Sequence, residues 1–517
     1  MIECREPATR APLGRVAVDG AAEVADVVRR ARVAQASWRR SSFALRRRVL
    51  GRLLEQLLDH KDELCEVIVR ASGKTRENAL MGEIWPVAEK LRWTIRHGEE
   101  HLRPEPVSSG LLVHKRATIE YRPRGVVGAI VPWNYPLQNV MNPVIPALMA
   151  GNGCVVKASE WVAWSSARFE RMIHDALAAE GIATDLVRVI NGYGETGRAL
   201  VQAGVDVVVF IGSVGNGRRV VEASASRLVP VILELGGKDP LIVCDDADLE
   251  QAAHAAMNGC FINCGQNCVA SERILVHDQI HDAFEARVAA LAKGLRQGPP
   301  LGPAVVDVGA MATPLQREVV IRLIDDAVAR GARVVTGGRA VLAAHGEYVA
   351  PTILADVTPD MAIMQEETFG PVMLLCRVRD DDHAIEVANG TRFGLGASVL
   401  SRDRRRARRI ADRLDAGMAA INDFGGMTYM AQDLPFGGVK ESGFGRLNGR
   451  DGLRALTQPR ALLDDRLPLH MPSKLYPVGA GTYARVGSLL DLAYGPGVRR
   501  RLAAISDLVR QATGGRA

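Results

Sequence analysis

The chain has 517 residues, 47% hydrophobic and 24% charged, with a formal net charge of +6. That is too long for one compact core and too evenly mixed in charge for a nucleic-acid binder, so a globular protein of two or more domains is expected. Eight cysteines, unevenly spaced and mostly in apolar segments, point to a reducing compartment. The opening MIECREPATR has no apolar leader, and no run of about 18 apolar residues is free of proline and charge, so the expectation is a cytoplasmic protein with no integral span.

Alanines and valines at helical spacing predict a helix over 21–36. Residues 43–64 read as one long amphipathic helix, continued at 67–71. Residues 77–102 read as another, with Met81, Ile84, Val87, Leu91 and Ile95 on one packing face. Pro104, Pro106, Ser108, Ser109 and Gly110 break the pattern. Residues 111–121 and 125–131 then alternate like paired strands. Apolar, β-branched segments at 126–131, 153–157, 186–190 and 207–211 alternate with helical stretches. This is the sequence form of a parallel, doubly wound sheet. The alternation resumes at 240–243, 273–276 and 332–335, with helices at 249–259 and 280–295, and predicts a second α/β domain. Residues 297–303 form a Gly/Pro loop. No internal repeat is evident.

The stretch FINCGQNCVAS, 261–271, carries the chemistry. Cys268 lies among small and polar neighbours that permit close backbone approach. A thiolate there is a strong nucleophile, given a lowered pKa or a nearby base. Glu234 follows the apolar run 229–233, and a carboxylate in apolar surroundings has a raised pKa suited to proton abstraction. Taken singly, a lone cysteine is usually inert and a lone glutamate usually solvated. Cys260, Cys264 and Cys268 recur every four residues, as on one helix face or in a metal cluster. No CxxC and no histidine accompanies them, so no metal is expected, and Gly265 argues against an unbroken helix through Cys268.

PWNYP at 132–136, LELGGK at 233–238, GQNC at 265–268, EETFGP at 366–371 and PFGGVKESGFGR at 435–446 occur in this order. Over roughly residues 15–460 the chain resembles the aldehyde dehydrogenase superfamily. The resemblance implies an α/β fold with a Rossmann-like cofactor domain (1–105 and 125–235) and an α/β thiol domain (236–435). A small β oligomerisation hairpin and chain-return segments (106–124 and 436–472) complete it, with a helical extension at 473–517. It implies oxidation of a small-molecule aldehyde to the acid with NAD, NADP remaining possible, in a homodimer or homotetramer. Cys268 would be the nucleophile, Glu234 the base, and the Asn134 side chain with the Cys268 N–H the oxyanion site.

For the coenzyme the resemblance implies Trp133, Lys157, Ser159, Glu160, Gly212, Ser213, Gly217, Leu235, Gly236, Glu367 and Phe369. GSVGNG at 212–217 lacks the GxGxxG spacing and matches the family's own variant, with Ser213 at a helix N-terminus. Phe436 would line the substrate tunnel, and Asn422 matches a structural position. Two rivals differ in chemistry. A coenzyme-A-acylating enzyme commonly lacks the glutamate, and a silent relative would not keep Cys268, Glu234 and Asn134 together.

Pro143 and Leu447 stand where many members carry a lysine and a glutamate suggested to relay a proton, so Glu234 is expected to exchange its proton through water. Asn139, Asn142, Asn267 and Val269 predict a partly polar tunnel mouth. The tail from about Asp464, with Arg499, Arg500 and Arg501 and an apolar run near Leu489, resembles a plant and fungal branch of ill-defined substrate. It reads as a helix packed on the subunit, with peripheral membrane contact the alternative. Glu160 yields a first prediction. A carboxylate accepts from ribose hydroxyls and repels a 2′-phosphate, so kcat/KM is higher with NAD than with NADP. A clear NADP preference in steady-state kinetics would show that a neighbouring cation takes the phosphate.

Overall fold

The structure is a computed structural model that describes residues 1–338, 346–467 and 476–513. The β-branched runs become the buried strands of two sheets. The first sheet has six strands in the order Gly443–Phe444, Val231–Leu235, Val207–Gly212, Val126–Ile130, Gly153–Ala158 and Val187–Asn191. All pair in parallel except the first, which runs antiparallel to Val231–Leu235. From Val126–Ile130 the chain builds outward on one side, then returns to build on the other. The strand order therefore reverses between Val126–Ile130 and Val207–Gly212, where the carboxyl ends of two strands open a crevice.

The second sheet has seven strands: Arg333–Thr336, Thr352–Ala355, Val372–Val378, Arg273–His277, Pro240–Val243, Gly396–Leu400 and Met418–Ile421. Only Arg333–Thr336 runs antiparallel. Both sheets are covered by helices, and the α/β class read from the sequence is the class observed. The chain divides into two compact units. One is Met1–Glu105 with Ile119–Ala461, which holds both sheets; the other is Pro106–Thr118 with Leu462–Ala517. In the second unit, helices Thr482–Tyr494 and Val498–Thr513 pack together, with Arg500 paired to Asp491 at 2.7 Å. Parts of the expected chain-return segment and extension, 468–475 and 514–517, lie outside the described residues.

Several elements differ from their expected form. Residues 43–64 are two helices, Phe43–Asp59 and Lys61–Ser72, broken at His60. Residues 111–121 and 125–131 are not partners. Lys115–Pro123 belongs to a three-stranded sheet with Thr457–Asp465 and Glu105–Val107, so the expected small hairpin is a three-stranded element. The helix at 77–102 is interrupted by a π turn, Leu80–Ile84, before Trp85–Leu102. The wider turn rotates Met81 off the buried face. Met81 is exposed, while Ile84, Val87 and Leu91 are buried as expected. Sequence reasoning missed the opening strands Ile2–Arg5 and Pro12–Val16, and the strands at Thr352–Ala355, Val372–Val378 and Gly396–Leu400. Among the described residues no helix is long and apolar enough to cross a membrane.

Between helix Leu249–Phe261 and strand Arg273–His277 the backbone turns left-handed at three successive residues, Asn263 (φ 52°), Cys264 (φ 57°) and Gly265 (φ 70°). The expected helix break at Gly265 is therefore present, and it begins two residues earlier. Only glycine fits the third position, because a Cβ at Gly265 would lie 2.0 Å from the Gly370 carbonyl oxygen. Gly265→Ala should cost on the order of 3 kcal/mol, read as a lower urea midpoint. A midpoint equal to that of the parent chain would show that the turn relaxes freely.

Candidate active site

Three loops meet at the reversal crevice. The segment after Val126–Ile130 carries Trp133 and Asn134, and the end of Val231–Leu235 carries Glu234. The left-handed turn delivers Cys268. All four line one cavity of about 910 Å³. Glycines at 236 and 237 make the approach possible. A Cβ at Gly237 would lie 2.6 Å from the Cys268 carbonyl oxygen, and one at Gly236 2.3 Å from the Glu367 carboxylate.

Asn134 is held on every side. Its carbonyl oxygen accepts from Lys74 Nζ at 2.8 Å and from Asn263 Nδ2 at 2.9 Å. Its Oδ1 accepts from Asn139 Nδ2 at 3.0 Å, which fixes the amide orientation and leaves Nδ2 as the donor beside the thiol loop. That Nδ2 donates to the Gln266 carbonyl at 3.2 Å. Lys74 pairs with Glu83 Oε1 at 2.6 Å with both side chains wholly buried, and its ammonium lies 4.1 Å from the Tyr135 ring centroid. Glu83 Oε2 in turn accepts from Leu137 N at 2.7 Å and Gln138 N at 3.2 Å, at the N-terminus of helix Pro136–Ala150.

Glu234 is 3% exposed, and burial pushes its carboxyl up to about 7; a hydrogen bond from the Cys268 thiol offsets part of the rise. Its Oε1 meets no donor among the described residues. Burial also pushes the Cys268 thiol well above its usual range, and the Glu234 carboxylate adds to the rise. The site thus holds a thiol beside a carboxyl that titrates near neutrality, and not a thiolate at rest. No Lys, Arg or His lines the cavity among the described residues to offset that rise. Cys260 and Cys264 are buried, with thiols raised by burial; Cys260 Sγ donates to the Ser271 carbonyl and Cys264 lies 3.7 Å from Met311 Sδ.

At the coenzyme side of the crevice, Gly212, Ser213, Gly236, Glu367 and Phe369 join the cavity wall. Ser213 is the N-cap of helix Val214–Ala225, its side chain accepting from Asn216 N. Lys157, in the adjacent strand Gly153–Ala158, pairs with Glu160 just beyond it at 3.4 Å, and Ser159 Oγ donates to Glu160 at 3.3 Å. Burial pushes the Glu367 carboxyl up to about 8, although it accepts from Gly237 N at 3.1 Å. Trp133 and Phe369 meet edge to face, ring centroids 5.4 Å apart. Gly217 packs beneath Leu235, where a Cβ would lie 2.7 Å from Leu235 Cδ2, so these two shape the wall from behind. A helix N-terminus flanked by carboxylates suits a dinucleotide, with amides for a pyrophosphate and acceptors for ribose hydroxyls.

Phe436 lines the cavity and stacks edge to face on Tyr429 at 5.0 Å. Asn422 accepts from Ser401 N at 3.0 Å, a structural bridge. Leu447 lines the cavity, while Pro143 is buried inside helix Pro136–Ala150, so neither offers a proton carrier. Asn139, Asn142, Asn267 and Val269 all line the cavity, with Asn139 and Asn142 buried in its wall, and the exposed lining residues are Met81, Trp85 and Met427 together with Ser213 and Asn258. The rim positions of Met81 and Trp85 were missed because residues 77–102 carry one continuous helical period, and a π turn leaves no mark on it. Lys74 and Glu83 were missed as well; charges bordering apolar helical stretches were their only signal.

The Glu234 shift carries a stability prediction. The folded carboxyl holds its proton up to about 7 against an ordinary 4.5, so its ionisation costs the fold nothing at low pH and the full penalty above pH 7. Glu234→Gln should raise stability at pH 8–9 by up to about 3 kcal/mol and leave it unchanged near pH 4. Equal denaturant midpoints for both proteins at pH 9 would contradict the burial argument.

Comparison with known proteins agrees with this geometry. Residues 1–462 match the model of the aldehyde dehydrogenase family. An aldehyde dehydrogenase-like protein of Schizosaccharomyces pombe is 38% identical over 505 residues, 96% of each chain. The 4,4′-diapolycopene aldehyde oxidase of Methylomonas is 38% identical over 486 residues, 93% of this chain and 89% of the other. The crystal structure of PnpE from Pseudomonas sp. WBC-3 superposes with a TM-score of 0.86 at 32% identity, covering 91% of this chain and 96% of that one; PnpE has also been solved with nicotinamide adenine dinucleotide. By its sequence, its fold and the crevice that joins Cys268, Glu234 and Asn134, this chain belongs to the aldehyde dehydrogenase family.

Proposed function

We propose that the protein oxidises an aldehyde to its carboxylic acid with NAD(P)+. The supporting observation is the cavity that brings together the Cys268 thiol, the Glu234 carboxyl and the Asn134 amide beside the strand-reversal crevice. The Cys268 sulfur attacks the aldehyde carbon, and its proton leaves through Glu234 or water. The developing oxyanion accepts from Asn134 Nδ2 and the Cys268 backbone N–H, donors that each contribute on the order of 3 kcal/mol. NAD(P)+, when bound, supplies the hydride acceptor that turns the thiohemiacetal into a thioester. Ser213 at the helix N-terminus would hold its pyrophosphate, Lys157 and Glu160 the adenosine ribose, and Glu367 the nicotinamide ribose, with Trp133 and Phe369 packing alongside. Glu234 then takes a proton from water, which releases the acid and frees Cys268. Under this reading residues 125–235 serve the coenzyme and 236–435 present the thiol.

A carboxyl at about 7 suits the hydrolytic step, because it is ionised enough to accept a proton and basic enough to hold it. With Pro143 and Leu447 at the relay positions, the proton leaves Glu234 through water. Glu234→Gln keeps shape and removes the base. The expected result is a burst of about one NADH per active site, then a steady state slowed about 10²–10⁴-fold, with an acyl adduct on the Cys268 peptide by intact mass. Cys268→Ala should show neither burst nor adduct. Loss of the burst in Glu234→Gln would assign Glu234 to thiol deprotonation and overturn the division of steps; near-normal turnover in Cys268→Ala would overturn the function.

A further inference from the structure

The nature of the cavity wall limits which aldehyde can enter. Among the described residues its lining contains four carboxylates, Glu234, Glu367, Asp307 and Asp423, and no Lys, Arg or His. Asp307 is already neutralised by Arg296, with two contacts of 2.8 Å. Buried lysines lie behind the wall, and Lys238 among them is held by Glu272 and Thr368. Lys74 is spent on Glu83 and the Asn134 carbonyl. Lys90 donates to the Asn142 and Asn448 side-chain oxygens, the second at 2.6 Å, and is not itself a lining residue. Two of the wall amides are committed in the same way. Asn139 Nδ2 donates to Asn134 Oδ1 and to the Pro132 carbonyl, and Asn142 Oδ1 accepts from Lys90. A carboxylate on the far end of a substrate would find no cation there and would lose its hydration, a cost of several kcal/mol.

Apolar and aromatic side chains make up most of the remaining wall, beside amides such as Asn258 and Asn267. Phe436 and Tyr429 stack in the interior, near Phe261 and Phe424. At the rim, Met81 is 55% exposed, Trp85 59% and Met427 45%, a continuation of the apolar lining into solvent. Such side chains gain by covering a hydrocarbon chain and gain nothing from a short polar one.

From these observations, and resting on the oxidation proposed above, we infer that the enzyme takes elongated, apolar aldehydes and discriminates against aldehydes that carry a carboxylate. The Asn and Gln side chains near the thiol serve to orient Asn134 and close the wall, and the chain of the substrate runs outward past Tyr429 toward Met81, Trp85 and Met427.

The test is kcat/KM of the purified full chain for propanal, butanal, hexanal, octanal, succinic semialdehyde and betaine aldehyde, with NAD and with NADP. The expected result is a rise of up to about 4-fold per added methylene from propanal to octanal, and octanal above succinic semialdehyde by at least about 100-fold. Met427→Lys places a cation at an exposed rim position that tolerates it; it should lower the ratio of octanal to succinic semialdehyde by about 10-fold or more. Succinic semialdehyde or betaine aldehyde matching octanal in the parent enzyme, a flat response to chain length, or an unchanged ratio in Met427→Lys would each overturn the substrate class while leaving aldehyde oxidation standing. Failure of every aldehyde to reduce either coenzyme would overturn the proposed function and this inference with it.

Discussion

A buried ion pair organises the catalytic crevice. Lys74 and Glu83 are wholly removed from water, and each uses its remaining valence on the segment after Val126–Ile130: Lys74 on the Asn134 carbonyl, Glu83 on the first N–H groups of helix Pro136–Ala150. A buried pair of this kind stabilises little against an apolar substitute, but removing one partner strands the other charge, typically at about 3–5 kcal/mol. Its return is positional. The Asn134 backbone cannot move without unpairing the ammonium, and Asn139 fixes the amide above it.

Against that rigid wall the thiol loop is under strain. Asn263, Cys264 and Gly265 are left-handed in succession, an arrangement that persists only where its surroundings over-determine it. The surroundings do so here. Asn263 Nδ2 donates to both Asn134 O and Gln266 O, and Gln266 bridges to the Asn263 carbonyl and to Ala312 N. One amide web therefore sets the distance between the Asn134 donor and Cys268, whatever sits in the cavity.

Burial then sets the chemistry. The same exclusion of water that raises Glu234 to about 7 raises Cys268 above its ordinary value. A thiol kept protonated by its environment is protected from oxidation until substrate arrives, and a carboxyl poised near neutrality can pass protons in either direction. The electrostatic character of the cavity, acidic and without cations, follows from the same packing.

The sequence by itself determined the strand and helix alternation and the α/β class, because each element is a local pattern of turn residues beside a β-branched run, while the segments proposed to hold Cys268, Glu234, Asn134 and the coenzyme were marked by the resemblance of their motifs. It also foretold the direction of the Glu234 shift, since the apolar run before it guarantees burial. Only the tertiary structure decided the rest. The π turn at Leu80–Ile84 moved Met81 and Trp85 to the cavity rim, and a one-residue change of helical register cannot be read from spacing. That Asn142 is tied into the cavity wall was not legible, because its partner Lys90 comes from a separate helix. The Lys74–Glu83 pair was invisible for the same reason: whether a charge is solvated or buried depends on what covers it, and here the cover is Tyr135 and the start of helix Pro136–Ala150.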